Sequence, residues 1–426
     1  MGFTEGRCPH CEKEIRVDDG MKTGFCFYCG ESVQVREAVK LFSAGSASAL
    51  DVNRWRILLK IYFDSADYEN AEKAAKKIME AAPADTDARE YYQRIISIRR
   101  DFVIDKNTSS LVKYVGENPD VIVPPGVKSV ESSAFDSCKE LIESILLPGS
   151  VTKIEKYTFW GCTKLKGVSL SESTETIGDR AFCNCSSLKS IAIPEGVKTI
   201  GSSAFSGCSE LSSVSFPAGL LSIGTSAFLG CGDLTEILIP EGVKYIGPSS
   251  FLGCRGLKNV MLAESLDFIG EYAFSDCVGL ERIEIPSRIK TIGKSMFHGC
   301  RNLKEAALPK GLASIGKRAF LDCASLEYMD IPKDVISLGG YAFANCESLK
   351  GISLKSGLTA IGEYAMSGCV SLEKIVIPES VEKISDYAFK GCVNLAEVVI
   401  ENRFILMENH VFEDCKKLPR GLKRYK

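Results

Sequence analysis

Histidine is nearly absent from this chain: His10, His298 and His410 are the only three in 426 residues. None stands in a motif beside a nucleophile or a second metal ligand, so histidine-based acid–base chemistry has no foothold in the sequence. The GKS at 293–295 lacks the upstream glycine of a phosphate-binding loop, and phrases such as GSSAFSG recur too often to be a nucleophile elbow. No catalytic set emerges, and the chain reads as non-enzymatic. An excess of either charge is also missing, with 52 Lys and Arg against 55 Asp and Glu and a formal net charge of -3. That removes any global electrostatic reason to bind nucleic acid or an anionic surface. No apolar run is long enough to span a membrane, and the opening MGFTEGRCPHCEKEIRV has no signal-like stretch. The expected location is therefore cytoplasmic.

Cysteine, by contrast, is plentiful, and 13 of the 18 fall in one series running from Cys138 through Cys162, Cys185 and Cys208 to Cys415. Every step is 23 residues except the first, which is 24. Three residues before each lies a phenylalanine, as in Phe135, Phe205 and Phe412, with Met366 the one exception. Upstream comes an apolar alternation such as Leu188, Ile191 and Ile193, then a proline in nine of the 13 units, then a pair such as Val197 and Ile200 followed by glycine. Alternation predicts a short strand with one face inward, ended by a proline that cannot donate to a ladder. The phrase SSAFSGC predicts one or two helical or 3₁₀ turns that fold Phe205 and Cys208 inward. No single unit can bury such a face, whereas stacked coils can.

This pattern resembles the BspA-like branch of the leucine-rich repeats, with units of the form LxxIxIPxxVxxIgxxAFxgC over roughly residues 119 to 418. The resemblance implies an α/β leucine-rich-repeat solenoid of short parallel strands that presents a strand-lined surface to partners; many members are secreted or surface proteins. The cysteine column is expected to be packing, since stacked strands hold equivalent residues about 4.8 Å apart and parallel, poorly placed for disulfides. Cys183, outside the column, is expected outside the core and is the candidate reactive thiol.

Near the amino terminus, CPHC and CFYC place Cys8, Cys11, Cys26 and Cys29 with fourteen residues between the pairs. Two such turns brought together complete the four-thiolate set that zinc accepts. The segment resembles a zinc ribbon with these four as ligands, and His10 sits inside the first turn. One structural Zn²⁺ is expected, closed to substrate, supplying folding free energy that some thirty residues cannot gain by burial. Residues 50–101 then change to a helical period, with stripes through Trp55, Leu58, Leu59 and Tyr62 and through Ala71, Ala75, Ile78 and Ala82 before Pro83. They resemble a single tetratricopeptide repeat, followed by a third helix capped by Asp85 or Thr86 and containing Tyr92 and Ile95. The predicted domains are a ribbon over 1–34, a helical connector over 35–105 and a solenoid over 106–426.

Function is then expected on the outward strand positions. In the middle of the series these are Leu238, Met261, Arg282, Glu284, Tyr328 and Asp330, an apolar and charged blend suited to a protein or peptide partner. The competing expectations are nucleic-acid binding through the ribbon and the basic tail Lys416–Lys426, and an adhesin-like role at the cell surface.

Overall fold

The structure, a computed structural model, describes residues 49–419 and four strand segments before them: β1 (Thr4–Arg7), β2 (Glu14–Val17), β3 (Thr23–Phe25) and β4 (Ser32–Gln34). β1 pairs antiparallel with β2, and β3 with β4, setting Arg7 opposite Glu14 and Phe25 opposite Ser32. Cys8, Cys11, Cys26 and Cys29, with His10, lie outside the described residues, as does the tail beyond residue 419. Contacts divide the chain into two compact units, the first including the helices and residues 123–129, the second residues 118–122 and the chain from 130 onward.

In the first unit the helical period becomes three helices: α1 (Ala49–Asp64), α2 (Tyr68–Ala81) and α3 (Thr86–Asp101). Leu59, Phe63, Tyr68, Ala71, Ala75, Ile78 and Ile95 close one core, the alanines of α2 letting its neighbours approach. The α1–α2 turn passes through Ala66 in the left-handed region, at φ +61°. Asp85, and not Thr86, caps α3: its carboxylate accepts from the Ala88 N–H at 2.9 Å and pairs with Arg56 at 2.6 Å. A hairpin follows, β5 (Phe102–Asp105) against β6 (Ser110–Tyr114), and the Tyr68 hydroxyl donates to the Pro125 carbonyl at 2.6 Å.

The second unit is a three-walled stack of coils, each numbered here by the cysteine that closes it, from coil 1 at Cys138 to coil 13 at Cys415. One wall is a long ladder of mostly three-residue parallel strands such as Ser190–Ala192 on Ser213–Ser215, in register 23 residues apart. The second is a short ladder of two-residue strands such as Thr199–Ile200 on Ser222–Ile223. Between them sit the prolines, and the inward residues Leu188, Ile191, Ile193, Val197 and Ile200 are all buried. The glycine after the short strand admits no side chain: a Cβ on Gly201 would lie 2.5 Å from the Gly178 carbonyl carbon of the coil before.

The third wall departs from the helical turns expected of SSAFSGC. The three-residue turns are there, with the N–H groups of Ala204, Ser206 and Cys208 bonded back to Gly201, Ser203 and Phe205. Left-handed residues interrupt them, however: Ser203 at φ +54° and Gly207 at +77°. The intervening N–H groups then point along the stack, and Ser203, Phe205 and Gly207 donate to the carbonyls of Thr225, Ala227 and Leu229 at 2.7–2.8 Å. The turns thus form a third inter-coil ladder in place of a helix. The residue before the cysteine takes the left-handed conformation from coil 2 onward, and there it is Gly, Asn or Asp, as at Gly161, Asn184 and Asp276, the types for which it is least costly.

The long ladder is not uniform. After a first group of three strands it is hydrogen-bonded only in pairs, coils 4–5, 6–7, 8–9, 10–11 and 12–13. From coil 4 to coil 12 the core alternates with that pairing. Ile193 and Val197 in one coil are followed by Phe216 and Leu220 in the next, then Ile239 and Val243, then Leu262 and Leu266, and so on to Ile377 and Val381. The first coil of each pair carries the β-branched residues that favour strands, and its isoleucine N–H donates to the second, as Ile239 does to Met261 at 2.9 Å. Ion pairs on this wall obey the same rule: Lys304–Glu281, Arg282–Glu305, Lys350–Glu327 and Lys355–Asp330 all join partners within a pair.

Candidate functional site

The long-ladder wall carries the outward positions singled out from the sequence. Leu238 and Met261 are direct register partners and are 60% and 62% exposed, while Tyr328 is 63% exposed. Strand alternation forces this: Ile237, Val260 and Met329 point inward, so their neighbours must point out. Arg282 reaches Glu305 at 3.6 Å, Asp330 holds Lys355 at 2.8 Å, and the Lys350 ammonium lies 5.9 Å from the Tyr328 ring centroid. The Lys355 ammonium, hydrogen-bonded to Asp330, keeps that carboxyl below its ordinary range.

Three of the six positions, Arg282, Tyr328 and Asp330, converge on one cleft of about 650 Å³ that spans coils 8 to 10. Its floor is Ala306, Ala307 and Leu308, with Lys310 and Pro332 at its lower edge. Ala307 is small and lies level with Asp330 on the next coil, while Arg282 and Tyr328 stand at the adjoining outward position, level with Glu305. The cleft also crosses the unpaired junction between coils 9 and 10. Glu284 stands opposite Ala307 in register but does not line the cleft, and Leu238 and Met261 lie on coils 6 and 7, apart from it. Lys310 lies in no periodic column, and Pro332, though it belongs to the proline column that ends the strands, reads there only as a strand terminator.

The cysteine column lies in the core. From Cys185 to Cys415 each thiol donates to a carbonyl 26 residues back in the preceding coil, as Cys208 does to Phe182 at 3.1 Å. Burial pushes the Cys208 and Cys369 thiols up to about 12. Cys183 differs from expectation: it is 9% exposed, and burial raises its thiol too. It sits at the position Leu229 and Leu252 occupy in later coils, on the turn wall and largely covered. It is no activated thiol.

One arrangement invites a catalytic reading. The Ser275 hydroxyl lies 3.4 Å from His298 Nδ1, and His298 Nε2 lies 3.5 Å from an Asp322 carboxylate oxygen. Ser275 is 1% exposed, however, and its hydroxyl also donates to the His298 carbonyl at 3.2 Å. A serine that no substrate can reach is not a nucleophile. Among the described residues no cluster of three or more His, Cys, Asp or Glu could hold a metal, and no helix is long and apolar enough to cross a membrane.

A parallel stack of 23-residue coils, walled by two strand ladders and filled by phenylalanine and cysteine, defines a leucine-rich-repeat solenoid. The chain belongs to the BspA type leucine rich repeat family, whose profile matches residues 113–235, 222–346 and 313–420. It is similar to a leucine-rich repeat protein of Bacteroides ovatus, at 28% identity over 76% of this chain and 96% of that one, with a TM-score of 0.63. It is also similar to a leucine rich cell surface protein of Faecalibacterium prausnitzii, at 26% identity over 75% and 91% of the two chains, with a TM-score of 0.45. Among curated proteins none matches. The fold is one commonly used for protein–protein interaction or adhesion.

Proposed function

We propose that this protein is a non-enzymatic recognition scaffold that holds a protein or peptide partner on the long-ladder wall, from Leu238 and Met261 on coils 6 and 7 to Tyr328 and Asp330 on coil 10. The observation that carries the reading is the cleft over Ala307, where an exposed tyrosine stands among charges of both signs on a rigid strand floor. Exposed aromatics and arginines ringed by polar groups are the usual anchors of protein interfaces. Because Arg282 is paired with Glu305 and Asp330 with Lys355, a partner covering this wall would not leave either charge buried without an opposite charge. The test is affinity capture from native lysate with the intact chain and with a Met261→Glu, Tyr328→Glu double variant. Loss of one recurrent partner, with an unchanged melting temperature, supports the site; undiminished capture removes it.

The amino-terminal segment is proposed to be a second docking module closed around one Zn²⁺ by Cys8, Cys11, Cys26 and Cys29. Support comes from the two antiparallel pairs, since each C-x-x-C begins directly after a first strand, Cys8 after Arg7 and Cys26 after Phe25. Four thiolates fit a structural zinc, which would hold the fold of the segment and leave no open coordination position. Thiolate ligands of this kind suit a reducing compartment, in keeping with a cytoplasmic location. One equivalent of zinc in the purified chain, lost on Cys26→Ser, Cys29→Ser substitution, is the expected outcome.

A further inference from the structure

We propose that the junction between coils 7 and 8 is a latched hinge that lets the two halves of the solenoid change their angle. At the other unpaired junctions of the long ladder from coil 3 onward, the short ladder runs on unbroken. At this one it stops as well, with Phe268–Ile269 ending one sheet and Thr291–Ile292 beginning another. The glycine N–H that bonds the isoleucine or leucine carbonyl of the coil before, as in Gly247 to Ile223, Gly270 to Ile246 and Gly316 to Ile292, has no counterpart from Gly293 to Ile269.

Two independent distances mark the same place. Ring centroids in the phenylalanine stack are 4.9–5.5 Å apart elsewhere, but Phe274 and Phe297 are 5.9 Å apart. A Cβ on Gly293 would find its nearest neighbour at 3.5 Å, whereas equivalents such as Gly247, Gly270 and Gly316 would meet the preceding coil at 2.3–2.9 Å. The cause is in the core. Met296 occupies, fully buried, a column that is otherwise mostly alanine: Ala204, Ala227, Ala273, Ala319, Ala342 and Ala365. A longer side chain in a close-packed column forces its neighbours apart.

The third wall stays knitted and serves as the pivot: Tyr272, Phe274 and Asp276 donate to Lys294, Met296 and His298 at 2.7–3.0 Å. At the corner between the two ladders, side chains close what the backbone leaves open. Arg288 holds Asp267 at 2.5 Å, and Ser287 donates through its N–H and hydroxyl to Glu264 at 3.1 and 2.8 Å. These exposed contacts are individually weak, so the latch can release while the pivot holds. Release would swing coils 1–7 against coils 8–13 and change the separation of Met261 from Arg282 on the long-ladder wall.

Hydrogen exchange on the full chain, read in peptides covering 289–297 and the matching 312–320 of coil 9, tests the hinge. The expected result is at least tenfold faster exchange in the first peptide. Asp267→Ala should speed it several-fold further while leaving 312–320 unchanged. Equal protection of the two peptides, or no response of 289–297 to Asp267→Ala, would overturn the proposal. Neither readout involves a partner, so the outcome is independent of the recognition reading.

Discussion

The Phe205 carbonyl accepts two hydrogen bonds, one from the N–H of Cys208 at 3.2 Å and one from the thiol of Cys231, in the next coil, at 3.3 Å. A cysteine is therefore a filler and a donor at once, tying each turn to the one before. Replacing Cys254 by alanine removes the bond to Phe228 and leaves a small void. The expected loss is about 1–2 kcal/mol in urea unfolding, and Cys254→Ser should recover part of it by restoring a donor.

Alkaline pH should unfold the solenoid. The buried thiols of Cys162, Cys208 and Cys369 have folded pKa values raised to about 12 from an ordinary 9.0, with burial the first cause. Each neutral thiol thus contributes stability that is fully present below pH 9 and is lost as pH rises through about 12. Above pH 9 each adds a slope of about 1.4 kcal/mol per pH unit. Circular dichroism from pH 8 to 11 should show a cooperative loss of structure far steeper than for a protein with one or two buried thiols.

Native thiols should resist alkylation. At pH 8, iodoacetamide is expected to leave Cys183 and the core column unmodified over hours and to label them only in denaturant, as mass spectrometry of the digested chain would record. Rapid native labelling of Cys183 would contradict its burial.

Acid should loosen the helical unit at one identifiable place. The Ala88 N–H first, and then Arg56, hold the Asp85 carboxyl below its ordinary 3.8. That contribution is complete above about pH 4 and fades as pH falls through the lowered folded value. Asp85→Ala should remove it at neutral pH at a cost of about 1 kcal/mol, seen as a lower melting temperature whose deficit shrinks in acid.

On the long ladder, Lys304 sits between Glu281 and Glu327 in a column of alternating charge, and the Lys304 hydrogen bond is the first cause of the lowered Glu281 carboxyl. Lys304→Glu would line up three carboxylates. A lower melting temperature in dilute buffer, recovered in molar salt, is expected from differential scanning fluorimetry.

Most of the fold was legible because the solenoid is written in a single period. The columns of Phe205, Cys208 and Ile200 mark the strands, the core and the stacking direction in the letters alone. The turn wall was legible in part: SSAFSGC gives the three-residue turns and the inward Phe205 and Cys208, but only backbone angles reveal the left-handed residues at Ser203 and Gly207 that keep it from being a helix. Cys183 was misplaced since a residue outside a periodic column can still be covered by its neighbours. The cleft was half visible: Arg282, Tyr328 and Asp330 follow strand alternation, but Lys310 and Pro332 come from the bend after the strand. The alternation of Ile239 with Leu262 was present in the letters, yet it acquired meaning only from which strands bond.

That alternation bears on how such a chain can lengthen or shorten over generations. Removing one coil would set two leucine coils, or two isoleucine coils, side by side and leave a strand whose donors face the wrong neighbour. Removing two would rejoin like to like. Descendants of this gene should therefore differ by even numbers of coils between coils 4 and 12, so that the heritable unit is the doublet and the single 23-residue phrase is only half a word.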